Sequence, residues 1–238
     1  MKRLIVILTL LSLLPLLLFA YTDSYAEYDR NTDWNALYSA IKNNKGKSEV
    51  KSLYDNYISS DITNIEKARA EYNMVRYWVD NGESDSAEVH LEREKEAVEN
   101  LEETSGVLYD ISRADLTSAE YYITKDMFTG MENSSLTKKL YSSYPDEVYV
   151  VLMNAWRLIY TPQIAGGSNK NAIKILLPLF ESSSSLCEQN RYSLYGALAT
   201  AYYNRHDYVA SRECLEEAFK IYSGEKTLLE LKEKLDNK

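Results

Sequence analysis

The chain has 238 residues and a formal net charge of −9 at pH 7, which argues against nucleic acid as a partner because phosphates require a basic face. Eight glycines and four prolines are few for this length, so the composition favours long helices over a fold with many tight turns. Two cysteines, Cys187 and Cys214, are too few for a disulfide framework. A single bridge and two reduced thiols are both compatible with that count.

The N-terminal residues have the pattern of an export signal. Two basic residues precede an apolar run that ends at Ala20, and the small residues Ser24 and Ala26 fit a cleavage site after Ala26. Cleavage after Ala20 is less favoured, because Leu18 would then stand where a small residue is required.

We therefore expect a signal peptide of residues 1–26 and a mature domain of residues 27–238. This pattern predicts an exported protein, periplasmic or extracellular, without a membrane contact once the signal is removed. A retained signal, which would anchor the protein, is the alternative.

Helical periodicity predicts pairs of helices along the rest of the chain. The first pair covers residues 33–43 and 48–60. The third covers residues 104–130 and 133–145, and an amphipathic helix at residues 225–235 is expected to cover the end of the array.

The second, fourth and last pairs share one spacing of small and large residues. The matching positions in the three pairs are Val75, Trp78, Gly82, Ala87 and Leu91; Met153, Trp156, Gly167, Ala172 and Leu176; and Ala199, Tyr202, His206, Ser211 and Leu215. The fourth pair fits only with an insertion in its turn.

That turn, residues 160–168, has two interpretations. As a hairpin corner, Pro162 ends one helix, the glycines make the turn, and Ser168 caps the next helix. A phosphate-binding loop of the Walker type would need a lysine directly after its last glycine, where Ser168 stands. We prefer the corner; phosphate binding at the helix N-terminus is the alternative.

The shared spacing resembles the tetratricopeptide repeat (TPR). The resemblance implies an all-α fold, a TPR-like right-handed superhelical stack of about five helical hairpins with a C-terminal cap helix. The stretch of residues 145–177 is also similar to exported bacterial TPR proteins that accompany TRAP-type carboxylate transporters. Those proteins are typically lipoproteins, whereas no cysteine follows the signal here.

No catalytic constellation is evident, and we expect no enzyme, no cofactor and no metal. His90 and Glu94 lie one helical turn apart and could form half a metal site, but no further ligand has helical spacing with them. A solvated acidic helix face is the preferred interpretation of that segment.

The resemblance implies binding on the concave face, which the first helix of each hairpin lines. The spacing places Arg69, Tyr72, Arg76 and Asp80 there, and the predicted binding residues are Arg76, Asn154, Arg157, Tyr203 and Asn204. Their guanidinium and amide groups suit a carboxylate or a peptide backbone.

Two functions are compatible with such a face. The first is an exported scaffold or adaptor that binds a peptide or protein partner, which could be a transporter component. The second is a small-ligand-binding accessory of a TRAP-type transport system.

Overall fold

The computed structural model describes residues 21–101 and 106–238, and within them the fold is all-α, as the sequence predicts. The eleven helices are α1 Thr32–Lys42, α2 Lys47–Ile58, α3 Asn64–Asp80, α4 Ser84–Glu99, α5 Val107–Thr124, α6 Met127–Ser143, α7 Val148–Tyr160, α8 Asn169–Glu181, α9 Glu188–Asn204, α10 Tyr208–Phe219 and α11 Lys226–Asp236. None of these helices is long and apolar enough to cross a membrane.

Consecutive helices pack against each other in pairs, α1 with α2 through to α9 with α10. Neighbouring pairs also contact each other through their first helices, α3 with α5 and α7 with α9, and α11 packs on α9 and α10. Each helix therefore buries one face against its partner and a second face against the next pair.

The apolar core follows this arrangement in two main parts. One surrounds α3 and includes Trp34, Met74 and Val75, which are at most 1% exposed. The other lies between α7, α8 and α9 around residues such as Leu176 and Leu194.

The turn between α7 and α8 forms a hairpin corner, as its sequence predicts. Helix α7 ends at Tyr160, and Gly166 has a φ of 92°, a left-handed conformation that favours glycine. The Ser168 side chain then accepts a hydrogen bond of 3.2 Å from the Asn171 amide at the start of α8.

The turn of the third pair differs from the predicted one. It lies at Lys125 and Asp126, where Lys125 has a φ of 53° and the Asp126 carboxylate accepts a 2.9 Å hydrogen bond from the Thr129 amide. Gly130, where the sequence suggested the end of the first helix, lies inside α6 beneath the Tyr121 ring. Helix α5 therefore ends at a lysine in the left-handed backbone conformation, and the next residue, an aspartate, caps α6. This turn contains neither glycine nor proline.

The predicted signal peptide falls partly on residues 1–20, which lie outside the described residues. Residues 21–26 are described, and they pack into the fold. Thr22 exchanges main-chain hydrogen bonds of 2.9 Å with the Asp146 carbonyl and the Val148 amide, and Tyr25 is 1% exposed. A domain boundary after Ala26 would cut through this packed segment.

The first hairpin contacts the last part of the chain directly. The Trp34 indole donates to the Gln189 side chain at 3.2 Å, and the Gly224 amide donates to the Lys42 carbonyl at 3.1 Å. The rings of Tyr38 and Tyr222 meet edge to face at 5.7 Å. The array of helices is thereby closed from its first pair to its terminal helix.

We expect Gly224→Ala to destabilise the fold by about 1–3 kcal/mol, the usual cost of overpacking. A Cβ at Gly224 would lie 2.2 Å from the carbonyl carbon of Asn43, so the two ends of the array would have to separate. Gly46→Ala is the matched control, since a Cβ there meets no atom within 4 Å. Urea unfolding measures both, and equal stability of the two variants would contradict this closure.

Candidate ligand-binding cavity

A cavity of about 300 Å³ lies where the two ends of the array meet. The C-terminal turns of α1 and α3 form two of its walls, and the start of α11 forms the third. Its charged lining residues are Lys42, Arg76, Asp80, Glu225, Lys226, Glu230 and Glu233.

Glu225 holds two cations at the base of the cavity. Its carboxylate lies 3.2 Å from the Lys42 ammonium and 3.2 Å from the Arg76 guanidinium, and its side chain is 14% exposed. Burial raises the pKa of the Glu225 carboxyl. The positive charges of Lys42 and Arg76 together outweigh this effect and lower the pKa to about 2. The carboxylate is therefore ionised at neutral pH.

Arg76 and Asp80 lie one turn apart on α3 but form no ion pair with each other. The Arg76 Nε is buried and has no hydrogen-bond partner among the described residues. Burial raises the pKa of Asp80, whose carboxylate likewise has no hydrogen-bond partner in the described part of the chain. The Arg76 side chain is 24% exposed and bonds to Glu225 through Nη2 only, so its Nη1 and the Asp80 carboxylate can each bind a further polar group.

Apolar groups form the rest of the wall. Ile41 and the Tyr77 ring are 7% and 3% exposed, and Leu229 is 42% exposed. The face of the Tyr122 ring lies 5.1 Å from the Arg76 guanidinium carbon, within range of a cation–π contact.

The other four predicted binding residues do not join Arg76. Asn154 is 3% exposed and accepts a 2.8 Å hydrogen bond from the Arg157 Nε. The Tyr203 ring packs on Tyr208, and the exposed Asn204 donates to Asn169. None of these four residues lines the cavity that holds Arg76.

Arg157 is half-buried, and burial lowers its pKa. No carboxylate of the described residues lies within 4.0 Å of its guanidinium group, which instead donates to Asn154.

Sequence reasoning missed Lys42, Glu225 and Lys226 as parts of a site. Glu225 is 149 residues away from Arg76, so no local spacing connects them. The sequence feature that could have indicated this contact is Gly224. It stands directly before helix α11 and permits the close approach of the chain to Asn43.

Part of the predicted concave surface is occupied by the chain itself. Arg69 is 6% exposed and lies 2.7 Å from Asp29 and 3.1 Å from the Gln189 side chain. The rings of Tyr25 and Trp34 cover its guanidinium carbon at 4.0 and 4.7 Å. Arg69 therefore stabilises the fold and is not exposed to a partner.

The interpretation of residues around His90 as a solvated face is wrong. His90 is 7% and Glu94 0% exposed, and the His90 Nδ1 lies 2.6 Å from the buried Glu71 carboxylate. Both Glu94 oxygens are buried without a hydrogen-bond partner among the described residues. Tyr54 of α2 and Trp78 of α3 cover His90, and α5 also packs against α4, which the charged sequence did not indicate.

We expect Glu94→Gln to raise the free energy of unfolding at pH 8 by at least about 1.4 kcal/mol, the equivalent of one pKa unit, because the amide is neutral without binding a proton. Burial and the charges of Asp115, Glu71 and Glu120 raise the pKa of Glu94 well above 4.5. The folded state then holds a proton that the unfolded state releases, so this carboxyl destabilises the fold increasingly as pH rises above about 4.5.

Thermal unfolding at pH 4 and pH 8 measures this effect. The gain should be small at pH 4 and absent in Glu96→Gln, because Glu96 lies on the exposed face of α4. A gain of equal size at both pH values would show that the charge of Glu94 is not its cause.

Asp23, Asp29 and Cys187 form a cluster whose ligand atoms lie within 4.8 Å of one another. Internal contacts account for it: Cys187 donates to Asp29 at 3.2 Å, and Asn190 donates to Asp23 at 2.8 Å. Burial raises the pKa of the Cys187 thiol to about 12 and that of Cys214 to about 11. Both cysteines are free thiols and are protonated at neutral pH.

Comparison with known proteins finds no matching family model, no matching curated protein and no matching solved structure. The structure defines an all-α protein of paired helices with a polar cavity between its first two hairpins and its last helix.

Proposed function

We propose that this protein is a small-ligand-binding protein without catalytic activity. The observation that carries the proposal is the cavity between α1, α3 and α11, which is lined by the partly exposed Arg76 guanidinium and by the Asp80 carboxylate, for which the described residues provide no hydrogen-bond donor. Ligand sites commonly combine an apolar wall with a few such groups, and they start at about 300 Å³.

The resemblance of the sequence to TPR proteins extends this proposal. We infer a TPR-like stack that acts in the periplasm or outside the cell, as an accessory of a TRAP-type transport system. The pairing of helices and the terminal helix α11 support the stack, and the resemblance of residues 145–177 supports the transport role.

The raised pKa of both thiols argues against a cysteine nucleophile, because a thiol nucleophile requires a lowered pKa.

Mass spectrometry of the protein purified from its native envelope tests the proposal. We expect denaturation to release a small organic molecule from the wild type and little of it from Arg76→Gln. Arg113→Gln, which changes an exposed arginine of α5, should release as much as the wild type. No released molecule, or equal amounts from Arg76→Gln and the wild type, would contradict the proposal.

A second candidate is a scaffold that binds a protein or peptide partner. A cluster of apolar side chains at the α5–α6 turn favours it, because Met127, Phe128 and Met131 are 67%, 73% and 63% exposed. Phe128→Ser should abolish co-purification of such a partner without lowering Tm. Unchanged co-purification would exclude this surface.

A further inference from the structure

We propose that the cavity binds a free α-amino acid with an apolar side chain, its carboxylate on Arg76 and its ammonium on Asp80. This inference rests on the proposed function and specifies the ligand of the same site.

The charges at the base of the cavity favour a carboxylate next to Arg76. Lys42 and Arg76 supply two positive charges, and Glu225 balances one of them. The Arg76 side chain is 24% exposed, and only its Nη2 bonds to Glu225, so Nη1 is a donor that a carboxylate can satisfy. Guanidinium groups bind carboxylates in this way more strongly than neutral donors do.

Asp80 supplies the complementary charge one helical turn away. Its side chain is partly buried, and the nearby Lys226 ammonium donates to the main-chain carbonyl of Asp80 at 3.4 Å and not to its carboxylate. A ligand ammonium would therefore meet an acceptor that the protein leaves unpaired. Residues one turn apart are about 5–6 Å from each other, which suits the adjacent charges of an α-amino acid.

The remaining walls indicate the side chain. Ile41, Tyr77 and Leu229 offer apolar surface, whereas Glu230 and Glu233 line the cavity from α11 and would repel a second carboxylate. A cavity of about 300 Å³ is large enough for an amino acid but not for a folded segment. L-Leucine is accordingly a suitable probe, and L-aspartate, which carries a second carboxylate, is the negative control.

Calorimetric titration of the purified protein tests this arrangement with three matched compounds. L-Leucine carries both charges, 4-methylpentanoate lacks the ammonium, and 3-methylbutylamine lacks the carboxylate. We expect leucine to bind at least about tenfold more tightly than either analogue, since each charge-assisted hydrogen bond contributes about that factor or more. Aspartate should not bind measurably.

Asp80→Asn should weaken leucine binding about tenfold and leave the affinity for 4-methylpentanoate unchanged. Asp85→Asn, an exposed change at the start of α4, should bind leucine as the wild type does. Circular dichroism checks that both variants fold.

Equal affinities for leucine and 4-methylpentanoate, or no leucine binding at millimolar concentration, would overturn the assignment to an amino acid. If a small molecule still co-purifies with the wild type in that case, only the class of ligand is wrong. If none co-purifies, the proposed function fails as well.

Discussion

Arg69→Ala should lower the free energy of unfolding by about 3–5 kcal/mol, the cost of removing one partner of a buried ion pair. The Asp29 side chain is 4% exposed and would keep a buried charge without its 2.7 Å partner. The stacking contacts of Arg69 with Tyr25 and Trp34 would also be lost.

Two controls separate the charge from the packing. Arg113→Ala changes an exposed arginine and should shift stability by no more than about 0.5 kcal/mol. The double variant Arg69→Met with Asp29→Leu should be more stable than Arg69→Ala, because neither charge remains buried. Urea unfolding measures all three, and a double variant as unstable as Arg69→Ala would show that the ion pair is not the cause.

A chain that begins at Glu27 should be less stable by at least about 3 kcal/mol than one that begins at Tyr21. Removal of Tyr25 alone should cost about 3–5 kcal/mol, as deletion of a buried aromatic side chain does. The truncation also removes Thr22 and Ser24, whose side chains each donate to the buried Glu147 carboxylate at 2.9 Å.

The comparison can be made with two purified chains that differ only in residues 21–26. Tyr25→Ala in the longer chain should account for most of the difference. Equal melting temperatures of the two chains would contradict the packing of this segment and would suit a signal that is removed after Ala26. A large difference would favour a mature chain that retains Tyr21 onwards, as cleavage after Ala20 would produce.

The sequence predicted features that depend on neighbouring residues. The corner between α7 and α8 follows from Pro162, Gly166 and Ser168, whose conformational preferences are local. The all-α class follows in the same way from helical periodicity.

Features that depend on distant contacts could not be predicted in this way. Charge alone suggested that Glu94 is exposed, whereas α5 covers it. Arg76 was predicted as a binding residue of a concave face; in the structure it lines a cavity, and its partner Glu225 comes from the other end of the chain. Asn154 and Arg157 were grouped with it because a repeat implies equivalent positions, and the structure instead bonds them to each other.

Amide hydrogen exchange at Gly224 tests most directly whether the two ends of the array close around a cavity. The Gly224 amide donates to the Lys42 carbonyl at 3.1 Å, and the adjacent Ser223 amide donates to the Asn43 side chain at 3.0 Å. The account predicts that both amides are protected nearly as well as those of the buried centre of α3, since they can open only when the array opens. Exchange as rapid as that of the terminal residues Asn237 and Lys238 would show that the ends are not closed and that the cavity is not a stable part of the fold.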